Sequence, residues 1–462
     1  MSCPVRTRIV VFSLAAAALA GCGADDGGED DVAGPTWYRD VAPLLAEHCM
    51  GCHRGGGVAP FSMETYDVAA AVAPMMLEAV EAGVMPPWDA ASSDECAPRH
   101  AWKDDARLTA AETQLLRDWI AAGTPAGKAA DVPAPPDLAL AGVTHSVTPS
   151  VPYVTTGDRD EFICYLLDPG ISRLSWMTGL EVVPGNERVV HHVVVMGYMP
   201  PPVLNAAAGG TPVGQPFPCN GGVVTMPDTF LMGVWTPGSQ PFETPADIGL
   251  PVPAGALVLV QMHYHPGGAT TNDPDASTVN LRLQTTRPIH TYTIGAAGNA
   301  AAAPQLQPGP DDRDVPEFRI PAGATDHVET MRFPLSGLAD GRFRLFAAYP
   351  HMHYLGVELS VQVEHPRPDG GVDTECLVNV PRWNFDWQRT YQYDAPIADL
   401  PSIGNGDTIV VRCSYDNTLA NPFVRRALEE LGLQEPVEVL LGEESLDEMC
   451  LGMFGVLVEP AP

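Results

Sequence analysis

Basic residues are scarce in this chain of 462 residues. Lysine and arginine together number 25, against 57 aspartates and glutamates, which gives a formal net charge of -32 at pH 7. A surface with this charge repels the phosphate backbone, so nucleic acid is excluded as a binding partner. The acidity is explained most simply by solubility, with an acidic docking face as the alternative.

Long apolar runs are also rare, and only the run over 9–20 stands out. A basic start precedes it, and small residues follow it directly before Cys22. This order resembles a bacterial lipoprotein signal, so we predict a signal peptide over 1–21, lipidation of Cys22 and a flexible tether over 22–35. The lipid would anchor the chain to a membrane of the cell envelope, as a periplasm-facing or surface protein. The alternative is an ordinary cleaved signal with an incidental cysteine.

Helical patterns are confined to one part of the chain, since 47 prolines and 44 glycines favour turn-rich β structure elsewhere. Over 36–127 short amphipathic segments alternate with turns. The clearest helix start is Thr109 with Glu112, which form a capping box before an apolar stripe. We therefore predict a small all-α domain over 36–127, followed by a linker over 128–150 that is rich in proline and alanine.

Strand patterns dominate after the linker. Over 357–363 valine and leucine alternate with polar residues, which is the period-two pattern of a strand with one buried face. Similar segments recur up to the C-terminus. We predict two mainly antiparallel, jelly-roll-like β-sandwich domains, over 151–290 and 291–462.

Residues 49–53 form a C-x-x-C-H motif, the attachment motif of c-type haem. Cys49 and Cys52 would bond the porphyrin edge, and His53 would reach the iron. A redox disulfide and half of a zinc site are the alternatives, although no second C-x-x-C is present. Met85 is the best placed sixth ligand, with His100 as the alternative. Because the segment resembles small bacterial c-type cytochrome domains, we expect the all-α domain to be a cytochrome c domain with one covalently bound haem c.

Possible metal ligands recur in four further clusters: His191 and His192, His263, His351 with His353, and Met449. Residues two apart on a strand face the same side, so His351 and His353 can bind one ion. Adjacent residues diverge on a regular strand, so His191 and His192 can share an ion only at a bulge or a strand end. The thioether of Met449 favours Cu(I) over zinc.

In this order the clusters resemble the copper type II, ascorbate-dependent monooxygenases, the family of peptidylglycine α-hydroxylating and dopamine β-monooxygenases, over roughly 151–460. The resemblance implies two copper ions. His191, His192 and His263 would hold the electron-transferring copper. His351, His353 and Met449 would form the catalytic site, where the other copper meets oxygen.

The cysteines extend the resemblance in part. It implies disulfides Cys164–Cys219 and Cys413–Cys450, whereas Cys96 and Cys376 have no assigned partner. The family's bridge near the histidine pair is missing, since Tyr198 stands where a cysteine would be. The peptide-hydroxylating members hold a substrate carboxylate with an arginine and a tyrosine; here those positions are Tyr349 and Met453, which argues against a peptidylglycine substrate.

The family reaction inserts one oxygen atom of O2 into a C–H bond and needs external electrons. We expect a small organic substrate, and electrons that pass from a periplasmic donor through the haem to the first copper. One alternative is a non-catalytic haem and copper electron-transfer or copper-binding lipoprotein. Another is a carbohydrate-binding or adhesion module whose histidines are structural.

Overall fold

The computed structural model describes residues 33–458, apart from 56, 58, 136, 157–159, 200–212, 220–227, 238, 246, 266–272, 340 and 445. The predicted signal peptide and the lipidation site Cys22 lie outside the described residues, as does most of the predicted tether. Of the helices within these ranges, none is both long and apolar enough to cross a membrane.

Helices form a small part of the described chain. The α-helices are α1 (Ala42–His48), α2 (Tyr66–Glu81), α3 (Ala110–Ala121) and α4 (Pro422–Glu430). A π-helical turn at Trp37–Val41 precedes α1, and 3-10 turns occur at Phe385–Trp387 and Ile397–Asp399. The capping box predicted for α3 is confirmed: Thr109 Oγ1 accepts from the Glu112 N–H, and Glu112 Oε2 accepts from the Thr109 N–H.

Strands make up most of the regular structure. Those of the first half are β1 (His145–Val147), β2 (Glu161–Leu167), β3 (Ser175–Val183), β4 (Val190–Tyr198), β5 (Phe217–Pro218), β6 (Thr229–Trp235), β7 (Phe242–Glu243), β8 (Ile248–Val252), β9 (Leu257–Tyr264) and β10 (Thr278–Gln284). Those of the second half are β11 (His290–Gly298), β12 (Arg319–Ile320), β13 (His327–Pro334), β14 (Arg342–His351), β15 (Gly356–Pro366), β16 (Val372–Val380), β17 (Tyr391–Gln392), β18 (Ser402–Gly404), β19 (Thr408–Tyr415), β20 (Val439–Leu440) and β21 (Leu451–Val458).

Three larger sheets are built from these strands. A ten-stranded sheet runs in the order β1-β10-β3-β8-β11-β21-β14-β17, with β7 and β18 pairing at its side. A five-stranded sheet has the order β5-β2-β9-β4-β6, and a four-stranded sheet the order β13-β19-β15-β16. The ten-stranded sheet includes strands from both sides of the expected boundary at 290, because β8 pairs in parallel with β11. One continuous apolar core contains buried residues from all three sheets.

The strand predicted over 357–363 is confirmed as part of β15. Leu359, Val361 and Val363 are fully buried, while Glu358 and Gln362 are half-buried. Burying the apolar face of such a strand stabilises it by roughly 1.5–3 kcal/mol per large side chain. The alternating pattern therefore reports which face packs against the core.

The predicted fold class is wrong in its first part. The described part of the chain is mostly β-sheet with four short helices, and it contains no small all-α cytochrome c domain. The helix next to Cys49 has only seven residues. The chain between α2 and α3 packs with the sheets: Trp88 and Trp102 are buried in the β core, and Trp102 forms a bridge with Tyr393. Helical periodicity marked individual helices, but it carries no information about the long-range contacts of the chain between them.

Candidate metal centre

Strands β4 and β9 bring three histidines together in the five-stranded sheet. His192 on β4 lies opposite His263 on β9 in the antiparallel register. The register shifts between Val190 and His192, which confirms the predicted bulge. The extra residue is His191, whose side chain is thereby turned toward its neighbour instead of to the opposite face of the sheet.

The three imidazoles converge through their Nδ1 atoms. His191 Nδ1 lies 3.1 Å from His192 Nδ1, which lies 3.2 Å from His263 Nδ1. Potential ligand atoms of all three side chains lie within 4.8 Å of one another. Within the described part of the chain, this is the one group of three histidine, cysteine or carboxylate side chains that could hold a metal ion. We call it the histidine triad.

Asp160 supports the triad from behind. Its Oδ2 lies 3.2 Å from His263 Nε2, and its Oδ1 lies 2.5 Å from His265 Nδ1. Burial would raise the pKa of Asp160, but the contacts with His263 and His265 outweigh burial and hold this pKa well below its ordinary value. The carboxylate therefore favours a proton on His263 Nε2, and His263 Nδ1 keeps its lone pair for a metal.

Burial keeps His191 and His192 in the ligating protonation state. It is the main cause that lowers the pKa of His191 and His192 well below 6.5, and the neighbouring histidines add to the effect. Neutral imidazole is the form that binds a metal, so these side chains need no deprotonation at neutral pH. Phe162 stacks on the His263 ring with centroids 4.4 Å apart, which limits rotation of that ring.

A second histidine pair stands where β14 ends. His351 Nδ1 lies 2.6 Å from Gln388 Oε1, and His353 Nδ1 lies 3.0 Å from the Asp447 carbonyl oxygen. Both partners accept hydrogen bonds, so each Nδ1 carries the proton and each Nε2 keeps a lone pair. Burial lowers the pKa of His351 to about 4 and that of His353 to about 3. The pair thus offers Nε2 atoms, whereas the triad offers Nδ1 atoms.

Met449 lies beside this pair along the backbone. The buried Glu448 carboxylate accepts the N–H groups of His353, Leu355 and Met449, so one side chain joins the two segments. Burial raises the pKa of Glu448 to about 8, and the three N–H donors limit the rise. The Cys413–Cys450 disulfide fixes the residue after Met449 to β19. These contacts place the backbone of Met449 next to the segment that carries His353.

The triad and the pair adjoin each other through one aromatic ring. Phe385 stacks on His191 with centroids 4.6 Å apart, and its centroid lies 6.2 Å from that of His353. Positive charge on His351 or His353 would lower the pKa of His192, so the two sets are close enough to interact electrostatically. This ring lies between both sets and was not singled out by any sequence pattern.

None of the three disulfides in the described chain includes Cys49 or Cys52. Cys164–Cys219 and Cys413–Cys450, implied by the family resemblance, are both bonded in the structure, and Cys96 pairs with Cys376. Cys49 and Cys52 are the free cysteines of the described chain, although only two residues separate them. Both thiols are thus available for covalent attachment.

The histidine of the motif is oriented by a backbone contact. His53 is nearly buried, and its Nδ1 lies 3.1 Å from the Phe61 carbonyl oxygen, which leaves Nε2 as the free ligand atom. Met85 is half-buried in the loop after α2. His100, the alternative sixth ligand, instead lies against the β region, with Nε2 2.7 Å from the Asp399 carbonyl oxygen.

One open cleft is lined by the chain just beyond the C-x-x-C-H motif and by one histidine of the triad. Gly57, five residues beyond Cys52, lines this cleft together with Glu187, His191 and Trp387. Burial raises the pKa of the Cys52 thiol, and the charges of Arg389 and Arg54 oppose the rise while Glu187 adds to it. The C-x-x-C-H segment therefore faces the side of the sheets that carries His191.

Comparisons with known proteins do not assign a family. No family model matches the chain, and no curated protein matches it. Among solved structures, a tandem CBM22 domain from Paenibacillus barcinonensis Xyn10C is 9% identical over 66% of this chain and 80% of that chain, with a TM-score of 0.17. Infectious bursal disease virus Gx strain is 10% identical over 68% and 72%, with a TM-score of 0.19. Allantoicase is 12% identical over 53% and 74%, with a TM-score of 0.15. Likeness at this level carries no functional argument.

Proposed function

We propose that this chain is a copper-dependent monooxygenase that inserts one oxygen atom of O2 into a C–H bond of a small organic substrate. The proposal rests on the histidine triad and on the pair of His351 and His353 beside it, to which the family resemblance adds Met449 as a third ligand. The triad and the pair differ in the nitrogen that they offer, and they meet at Phe385.

The donor chemistry of the two sets suits copper. Imidazole nitrogens bind both Cu(I) and Cu(II), and a thioether binds Cu(I) in preference to zinc. When bound, copper would supply one-electron redox chemistry at the triad and oxygen activation at the pair. The residues of the chain hold the ligands ready: Asp160 orients His263, Gln388 orients His351, and the Asp447 carbonyl orients His353.

Burial of the ligands also restricts water. His263 is 2% exposed and His353 is 4% exposed, so solvent has little access to these two imidazoles. Where water is kept away, the hydrogen bonds that fix the tautomers are stronger, whereas His191 is half-buried and lines the open cleft. The lowered pKa values of His191, His192, His351 and His353 keep these four imidazoles neutral, which suits copper in either oxidation state.

We further propose that Cys49, Cys52 and His53 attach one haem c, with Met85 as the sixth ligand, and that it supplies electrons from a periplasmic donor. This proposal depends on the two free thiols and the oriented imidazole, and it assumes no cytochrome c fold. The cleft shared by Gly57 and His191 supports it, because a donor attached there would lie on the side of the triad.

The cell-envelope location stays a proposal, with the lipid at Cys22 as its anchor. Disulfides persist in oxidising compartments outside the cytoplasm, and the described chain contains three. They support export, while the lipid itself must be measured by mass spectrometry of the mature chain.

The decisive experiment combines copper analysis, X-ray absorption and single turnover. We expect two coppers per chain, one copper in a His263→Ala variant, and a copper–sulfur signal in the reduced protein. Reduced protein mixed rapidly with O2 and a library of small organic substrates should give a hydroxylated product. Two coppers and oxygen consumption without any product would favour the non-catalytic electron-transfer alternative. Absence of copper binding would overturn the proposal.

A further inference from the structure

A second pocket lies apart from the histidine triad. It opens where the chain between α2 and α3 meets the sheets, and it is a small, solvent-open pocket of about 90 Å³. Side chains from both parts of the chain line it, among them Trp88, Lys103, Leu180, Trp235, Phe242 and Arg389. The walls are thus apolar and aromatic on one side and carry two basic groups.

Two N–H donors at this pocket have no hydrogen-bond acceptor among the described residues. They are Trp88 Nε1 and Arg389 Nε, both of which are shielded from solvent. Trp88 is only 6% exposed, and the Arg389 guanidinium lies over its ring, 5.9 Å from the centroid. Both residues line the pocket, so the Arg389 guanidinium borders it without an acceptor from the described chain at Nε.

The two acidic side chains that line the pocket, Glu181 and Asp104, already have partners, and the partner of Asp104 is Lys103 of the same pocket. Glu181 accepts hydrogen bonds from the Leu140 N–H and from Asn280 Nδ2, and Asp104 lies 3.6 Å from Lys103 Nζ. Asp89 interacts electrostatically with Arg389, but the described chain contains no ion pair between them, and burial raises the pKa of Asp89 to about 7. The Arg389 charge is therefore not neutralised by a direct partner.

We propose that this pocket binds the carboxylate group of a small organic anion. The guanidinium of Arg389 would donate to the carboxylate through its terminal Nη atoms, since an arginine fork matches the geometry of a carboxylate, and the Trp88 ring would contact the apolar part of the molecule. Trp235, Phe242 and Leu180 would contact the apolar remainder of the molecule. The proposal goes beyond the proposed function and does not depend on copper, because none of the six lining side chains named here is a proposed copper ligand.

Isothermal titration calorimetry of the full chain treated with a copper chelator tests the proposal. Benzoate and hexanoate serve as probes, with benzamide and hexanamide as uncharged partners of the same shape. We expect saturable binding of both acids and at least tenfold weaker binding of both amides. Equal binding of acid and amide, or no binding of the acids, would overturn the proposal.

Two variants separate the pocket from general charge effects. Arg389→Gln should weaken benzoate binding roughly tenfold or more, whereas Trp88→Phe, which keeps an aromatic ring at the pocket, should weaken it less. Arg287→Gln is the matched control, because Arg287 is exposed and lies outside the pocket. If Arg287→Gln weakens binding as much as Arg389→Gln, the acid binds through net charge and the assignment to this pocket is wrong.

Two sources could present the carboxylate: a free organic acid, or a propionate of haem attached at Cys49 and Cys52, since Arg389 interacts with Cys52. Titration of chain purified with and without covalent haem distinguishes them. A free acid binds both forms, whereas a propionate leaves benzoate binding only to the haem-free form. Binding of benzoate to neither form overturns both versions.

Discussion

Phe385 stacks on His191 with ring centroids 4.6 Å apart and planes inclined by 17°. The same ring contacts Tyr354, with centroids 4.1 Å apart, and lies 6.2 Å from the His353 ring. A side chain from a single 3-10 turn therefore supports ligands of both metal sets. Its removal should disturb both sets together, which no change at a single ligand would do.

We expect Phe385→Leu to weaken copper binding at both sets and to lower the free energy of unfolding by about 1–3 kcal/mol, because it leaves a cavity between them. Competition with a Cu(I) chelator measures the two affinities. Phe162→Leu is the control, since Phe162 stacks on His263 alone and should affect only the triad. An effect of Phe385→Leu on one set only would contradict the role given to this ring.

Asp160→Asn tests the orientation of His263. Asparagine keeps the size of the side chain but removes the charge that favours a proton on Nε2. We expect a 10- to 100-fold loss of copper affinity at the triad, the usual effect of changing a residue that orients a metal ligand. Asp168→Asn, an exposed aspartate of the same region that accepts the Gly170 N–H, should leave the affinity unchanged. Equal losses in the two variants would point to net charge instead.

Met449→Leu tests the third ligand of the second set. Leucine has a similar volume, so the fold should lose less than about 1.5 kcal/mol of stability. The copper–sulfur signal in X-ray absorption of the reduced protein should disappear, and Cu(I) affinity should fall at this set only. Met453→Leu on β21 is the matched control. A sulfur signal that survives Met449→Leu but not Met453→Leu would reassign the ligand.

Local features of the fold followed from the sequence because they depend on neighbours in the chain. The capping box of Thr109 and Glu112 and the alternating burial of Leu359, Val361 and Val363 are fixed by short-range geometry. The bulge at His191 was predictable from a chemical requirement, since two adjacent imidazoles cannot share an ion on a regular strand.

Long-range contacts account for what the sequence did not show. By difference of residue numbers, Asp160 lies 103 residues from His263, which it contacts. Gln388 lies 37 residues from its partner His351, and Phe385 lies 194 residues from its partner His191. No local pattern marks such residues. The same limit explains the wrong all-α domain, since burial of Trp88 and Trp102 in the β core depends on sheets formed much later in the chain.

His327 provides a pH test away from the metal ligands. It is buried with Nδ1 2.8 Å from Asp311 Oδ2 and Nε2 3.0 Å from Glu329 Oε1. Burial alone would lower its pKa, but the two carboxylates outweigh burial and raise the pKa above 6.5. A raised folded-state pKa gives stability that is fully present below pH 6.5 and is lost as the pH rises through the folded-state value.

We therefore expect His327→Gln to destabilise the chain more at about pH 6 than at about pH 9. Urea unfolding at both pH values measures the difference. His145→Gln is the control, because His145 contacts the Thr144 hydroxyl and forms no ion pair in the described chain. A loss at His327 that is equal at both pH values would show that the ring is held by packing and not by its charge.

The Cys96–Cys376 disulfide joins the chain between α2 and α3 to β16, across a sequence separation of 280 residues. Backbone contacts continue the attachment, since the Ala91 N–H donates to the Asn379 carbonyl and Asn379 Nδ2 donates to the Ala91 carbonyl. We expect the double variant Cys96→Ala, Cys376→Ala to lose about 2–4 kcal/mol in urea unfolding. It should also become sensitive to limited proteolysis between α2 and α3.

Replacing Cys164 and Cys219 with alanine should lower stability without opening that segment, because their disulfide lies within the five-stranded sheet. Cleavage between α2 and α3 at the same rate in both double variants would show that this segment is held by burial of its tryptophans and not by the disulfide.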